Sequence, residues 1–169
     1  MLVTAAGDNA IRMWIFDQSD MSGRLLRERS GHHAPPRRIR FYGEDDSHHI
    51  LSAGDDRALR FFSTIQDHQN VELSQLNVKR RAKKYGLHED EVKFPAITQF
   101  ASKKVREREW DNIVTCHEDH PHAHMWNYER KVLGRHAFTL DETDKGSVPT
   151  SVLISNCGNF GILGSSTGS

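Results

Sequence analysis

Cysteine is scarce in this chain. Cys116 and Cys157 are the only two in 169 residues and lie far apart. That excludes a disulfide scaffold and favours a reducing compartment. Long apolar runs are also missing, and none approaches the roughly 18 residues of a membrane span. The opening stretch, MLVTAAGDNAIRMW, has no basic n-region and meets Asp8 and Arg12 early, unlike a signal peptide. Neither sign of charge is in excess, since 23 Lys+Arg balance 23 Asp+Glu. The chain is therefore no global magnet for polyanions, and any nucleic-acid contact has to be a local patch. There is no phosphate-binding Gly-Lys-Ser/Thr loop, no dinucleotide GxGxxG and no HExxH. The length allows one ordinary domain of about 100–200 residues.

What is present is an internal repeat. LVTAAGDNAIRMW at 2–14 matches LSAGDDRALRFF at 51–62, pairing Thr4 with Ser52, Asp8 with Asp56, Ile11 with Leu59 and Trp14 with Phe62. All four pairs are 48 residues apart, slightly above the ~40–45 of WD-type propeller blades. Each copy reads as an apolar run, a Gly-Asp turn and a strand ending in an aromatic, the pattern of a hairpin. A blurred third copy runs from Asn112–Cys116 through HEDHPHAH to Trp126, and a fourth starts at Thr150 with the turn at Cys157-Gly158-Asn159.

The expected strands are 2–5, 10–16, 24–28, 37–42, 49–53, 58–63, 97–101, 112–116, 123–128, 132–138, 150–154 and 160–164. The expected fold class is all-β: a WD-repeat β-propeller, with about three blades of a larger protein. The expected division is a partial blade at 1–30, a complete blade at 31–76 and a basic/acidic insertion at 77–96. A degenerate blade at 97–140 and the truncated start of another at 141–169 follow. Closed propellers have 4–8 blades, so the phase predicts a piece of a longer chain. Such a piece has open ends and unpaired edges, and is expected to be poorly stable alone.

In WD repeats a Gly-His pair, a strand Ser/Thr, a turn Asp and a strand Trp form one hydrogen-bonded network. Here that set is His32, Ser52 and Asp56, with Phe62 in the Trp position. Phenylalanine has no N–H to donate, so the network has to stop at three members. In the preceding copy Thr4, Asp8 and Trp14 are present, and their His would lie upstream. An Asp/His/Ser set also suggests a hydrolase triad, but the repeat explains the residues as structural joints, and no catalytic residue is expected.

His117, His120, His122 and His124 crowd HEDHPHAH. Zinc binding is one reading; the favoured one is a polar turn at Pro121 followed by an edge-exposed strand, with no metal. NVKRRAKK at 77–84 holds Lys79, Arg80, Arg81, Lys83 and Lys84 without an acidic partner, followed by Glu89-Asp90-Glu91. It reads as an RNA- or partner-contacting arm, a nuclear localisation signal, or a solvated loop. Arg38 and Arg40 are expected on one strand face. Both cysteines read as small buried hydrophobes, and Trp14, Trp126, Phe41 and Phe62 as blade packing.

GDNAIRMWIFD, GRLLRERSGHHAPPRRIRFYG, HILSAGDDRALRFFST, KFPAIT, REREWDNIVTCHED, HMWNYERKVLG and SVLISNCGNFGILGSSTG together resemble one WD-repeat family. It is the family of WD-repeat protein thirty-six and the U-three-snoRNA-associated protein twenty-one of yeast. The resemblance covers nearly the whole chain. It implies a tandem-propeller, non-enzymatic scaffold of the nucleolar small-subunit processome, acting in pre-rRNA processing and small-subunit biogenesis. It implies other WD-repeat processome proteins, the U-three snoRNP and pre-rRNA as partners. No membrane, cofactor or small-molecule substrate is implied. A basic segment in the position of NVKRRAKK is a feature of the family, whereas its turn at HEDHPHAH is plainer. A generic WD-repeat adaptor of another nuclear complex remains the alternative.

Overall fold

A computed structural model describes residues 1–43, 48–140 and 146–168. The first residues of the segment expected to open another blade, 141–145, lie outside these. The described residues form four antiparallel sheets that follow one another along the chain. The first contains β1 (Leu2–Ala5), β2 (Ile11–Ile15) and β3 (Arg24–Arg29). The second contains β4 (Pro36–Phe41), β5 (His49–Gly54), β6 (Leu59–Ser63) and the two-residue β7 (Val71–Glu72). Two helices follow, α1 (Val78–Tyr85) and α2 (Glu89–Val92). The third sheet contains β8 (Ile97–Ser102), β9 (Ile113–His117), β10 (His122–Asn127) and β11 (Val132–Thr139). The last pairs β12 (Pro149–Ile154) with β13 (Gly161–Ser165).

Each core cluster lies between two successive sheets. Ile11 and Met13 of the first meet Ile50 and Phe62 of the second. From the second, Leu51, Leu59 and Phe61 meet Ile97, Ile113 and Trp126 of the third. Val114, Cys116 and Ala123 then meet Ile154. Strand alternation explains this division: in β5, Ile50 goes to one neighbour while Leu51 and Ala53 go to the other. The middle strands are buried on both faces, which is why HILSAG and IVTC read as nearly continuous apolar runs rather than alternating ones.

The repeated hairpins share one register. Thr4 pairs with Arg12, Ser52 with Arg60 and Thr115 with His124, and the aromatic of each copy falls two residues further on. Asn9 and Arg57, one repeat apart, both take left-handed backbone at φ 65° and 60°. That conformation suits Asn and strains Arg, so the turn itself, not the residue, sets the shape.

Several expectations need correction. The insertion, expected as an arm or a loop, is helical over 78–85. Val78 and Ala82, four residues apart, supply the inward side, and Gly86 closes the helix in the left-handed conformation. The strand after Pro121 is not at an edge: β10 lies between β9 and β11. Cys116 is buried, but Cys157 sits exposed on the β12–β13 turn. Phe62 and Trp126 are core residues, whereas Phe41 is 42% exposed.

Candidate functional site

Each of the first three sheets carries a hydrogen-bonded network of its own. Gly31-His32 lies before β4 and sends its imidazole between the first two sheets. The His32 Nδ1 sits 2.9 Å from Asp56 Oδ2, and Nε2 sits 2.9 Å from Ser52 Oγ. A carboxylate only accepts, so Nδ1 carries the proton toward Asp56, while Nε2 and the Ser52 hydroxyl share the second bond. Asp56 also takes the backbone N–H groups of His33 and Ala58. Burial pushes its carboxyl up, but the His32 hydrogen bond and those N–H groups outweigh it and hold it below the ordinary carboxylate range. Ser52 is fully buried. Its hydroxyl meets the His32 ring with no surface open to solvent, which argues against a hydrolytic triad. Phe62 completes no bond and instead packs against the His32 ring, with centroids 5.9 Å apart.

Thr4 and Trp14 form the equivalent bond on the first sheet, where the indole N–H donates to Thr4 Oγ1 at 2.9 Å. Asp8 does not join them. It accepts from Ala10 N–H, as Asp56 does from Ala58, and pairs with Arg12 at the surface. Asp56→Ala should cost about 1–3 kcal/mol, because the His32 Nδ1–H and two turn N–H groups lose their acceptor. Asp8→Ala should cost clearly less, since its pair with Arg12 is exposed and screened by solvent. Urea midpoints of the two variants check this ordering.

A third network does not show in the repeat spacing of the sequence. Trp126 Nε1–H donates to Thr115 Oγ1 at 2.8 Å, Thr115 lies 2.9 Å from His117 Nε2, and His117 Nδ1 lies 2.8 Å from the Pro95 carbonyl. The histidine here comes from the strand itself, two residues after Thr115, rather than from a preceding loop. In the chain the three stand in the order Thr115, His117, Trp126, with the Trp offset by one from the spacing of the first two copies because the β9–β10 turn is one residue longer. His117 is fully buried. Burial pushes its pKa down to about 4; the Pro95 carbonyl opposes this and nearby His120 adds to it. His124 stacks on Phe94 at 4.1 Å and is likewise pushed down to about 4, by burial and then by His117, His120 and His122. Among the described residues, no three His, Cys, Asp or Glu side chains converge to hold a metal ion. Three of the rings, His117, His120 and His124, instead crowd around Phe94 at the end of the insertion, and His122 meets His120.

The basic residues sit on α1. Lys79, Arg80, Arg81, Lys83 and Lys84 are all exposed, while Ala82 is buried. None of the five forms an ion pair with a described residue. The helix is held to the second sheet by its flanks. Gln75, itself buried, donates to the Arg57 carbonyl at 2.7 Å and accepts from Phe94 N–H at 2.9 Å. Arg57 donates to the Asp90 carbonyl at 2.8 Å, and Lys93 pairs with Glu72 at 3.2 Å. A groove of about 880 Å³ runs between these parts, with Lys79 and Arg80 facing Glu89 and Asp90. Arg38 and Arg40 are exposed on β4, and Arg38 donates to the Thr98 carbonyl at 2.9 Å.

Successive antiparallel sheets, two of them four-stranded, packed face to face through apolar clusters and carrying internal Ser/Thr–His and Trp–Thr bonds, define a WD-repeat β-propeller protein. The chain belongs to the WDR36/Utp21 family: the family's second beta-propeller domain matches residues 37–169. It is 45% identical over 99% of its length to the U3 small nucleolar RNA-associated protein 21 homolog of Schizosaccharomyces pombe. It is 42% identical over 99% of its length to human WD repeat-containing protein 36. Identity is 41%, over all of its length, to U3 small nucleolar RNA-associated protein 21 of Saccharomyces cerevisiae. The chain spans 18–19% of the length of these relatives.

Proposed function

We propose that this chain is part of a non-enzymatic WD-repeat scaffold of the U-three snoRNP and small-subunit processome, acting in pre-rRNA processing in the nucleolus. The observation that carries the reading is family membership: two of the relatives are named as associated with the U3 small nucleolar RNA. The site chemistry is consistent with it. Stacked sheets offer rigid rims and loops to several partners at once, and function on such folds lives in those surfaces. Other WD-repeat processome proteins are the proposed protein partners. The cations of α1 are the proposed contact to RNA or an assembly partner, touching phosphate without reading sequence.

Affinity purification of the intact protein, with probing of the bound RNA, tests the reading. U-three snoRNA and pre-rRNA should both be enriched over an unrelated nuclear propeller protein. Recovery of neither, with nuclear but non-nucleolar staining, would favour a generic adaptor and overturn the processome assignment.

A further inference from the structure

Resting on that reading, we infer that α1 is a clamp for double-helical RNA, gripping phosphates of two strands across a groove, rather than a track for a single strand. The helix places successive residues about 100° apart. Its cations therefore form a continuous arc of about 200°, in the order Lys79, Lys83, Arg80, Lys84, Arg81. Val78 and Ala82 fall on the remaining side, which is the side turned inward. A helix seated on under half of its circumference is convex outward, with charge on both flanks.

A single phosphate backbone lies along one flank of such a helix and leaves the other unused. Two backbones on either side of a groove satisfy both. Single-strand binders also need aromatic faces on which successive bases stack. Beside the arc there is one exposed ring, Tyr85, and the Lys84 ammonium lies over it at 5.3 Å from its centroid, so the helix offers no succession of free faces for successive bases. A protein partner is disfavoured because lysine is depleted in protein interfaces and the arc offers no apolar anchor. Glu89 and Asp90 of α2 face Lys79 and Arg80 across the groove, while Arg81, Lys83 and Lys84 do not line it. No α2 carboxylate pairs with an α1 cation among the described residues, and Asp90 is held by Lys93 at 3.4 Å. Gln75, Arg57 and Lys93 fix the insertion to the second sheet, so the arc is presented rigidly and little ordering is left for binding.

The test uses the intact protein, a fluorescent RNA hairpin stem, an unpaired RNA of matched length, and polyglutamate as competitor. The stem should bind about tenfold more tightly than the unpaired strand. Two double variants divide the arc: Lys79→Gln with Lys83→Gln, and Arg81→Gln with Lys84→Gln. Each should weaken stem binding about tenfold and flatten its salt dependence by one to two phosphate contacts. Circular dichroism should be unchanged, because all four side chains are exposed. Equal affinity for the unpaired strand, one silent flank, or competition by polyglutamate as strong as by the stem would overturn the clamp. If U-three RNA still co-purifies in those cases, only the clamp fails. If no RNA co-purifies from the start, the processome reading fails.

Discussion

Trp126→Ala should leave the second and third sheets unable to hold together at physiological temperature. The ring is fully buried in the cluster shared by those sheets, with Leu59, Phe61 and Ile113 around it. Truncating a buried aromatic to alanine costs about 3–5 kcal/mol. That approaches the whole stability of a typical domain, about 5–15 kcal/mol. The indole adds a second loss, because Thr115 Oγ1 would no longer receive its N–H. Trp126→Phe separates the two contributions. It keeps most of the packing, removes the donor and should cost about 1–2 kcal/mol. The chain already carries this arrangement at Phe62, where the ring fills the core and the network closes on His32, Ser52 and Asp56 without it. Urea unfolding of both variants, followed by circular dichroism, measures the difference. A Trp126→Ala loss no larger than that of Trp126→Phe would mean that packing is not what the ring supplies.

Acid should destabilise the chain well above the range in which its carboxylates titrate. His117 and His124 are both held near 4, against an ordinary value of 6.5. Their folded forms bind protons less readily than the unfolded chain does. Stability is therefore fully present above pH 6.5 and is lost as pH falls towards about 4. For His117 the loss amounts to about 3 kcal/mol across that window. His124 adds less, because part of its surface reaches solvent. The structural cause is specific. His117 Nε2 accepts from Thr115, which in turn accepts from Trp126, so a proton there breaks a bond inside the core. His120, His122 and His124 crowd the same corner, and each further positive charge raises the cost. Urea midpoints at pH 7.5 and 5 should differ clearly, and His117→Gln, though weaker at neutral pH, should narrow the difference. Identical midpoints at both pH values in the parent chain would contradict the assignment.

The twelve expected strands all exist, with no end displaced by more than one residue, and the two-residue β7 is additional to them. They were legible because a hairpin is local: Gly-Asp turns and apolar runs lie next to one another in the chain. The same locality made Thr4, Ser52 and their aromatics recognisable at a fixed interval. The third network was obscured by one extra residue in the β9–β10 turn, which shifts Trp126 from the interval seen in the first two copies. Pairing of Thr115 with His124 restores the common register, but pairing is a property of two strands and not of either segment. The helix α1 was hidden for another reason. Its apolar side is only Val78 and Ala82, too little for a periodic signal, and its seat comes from Gln75 and Arg57.

By itself, then, the sequence determined the strand pattern, the repeat, the chemistry of the joints and the run of cations, all of which depend on neighbours in the chain. Tertiary structure alone decided which imidazoles are buried, that β10 is interior, and that five adjacent cations spread around a helix instead of trailing in solution. Burial and hydrogen-bond partners come from sheets separated by dozens of residues, and no local preference encodes which face of a strand will meet the next sheet.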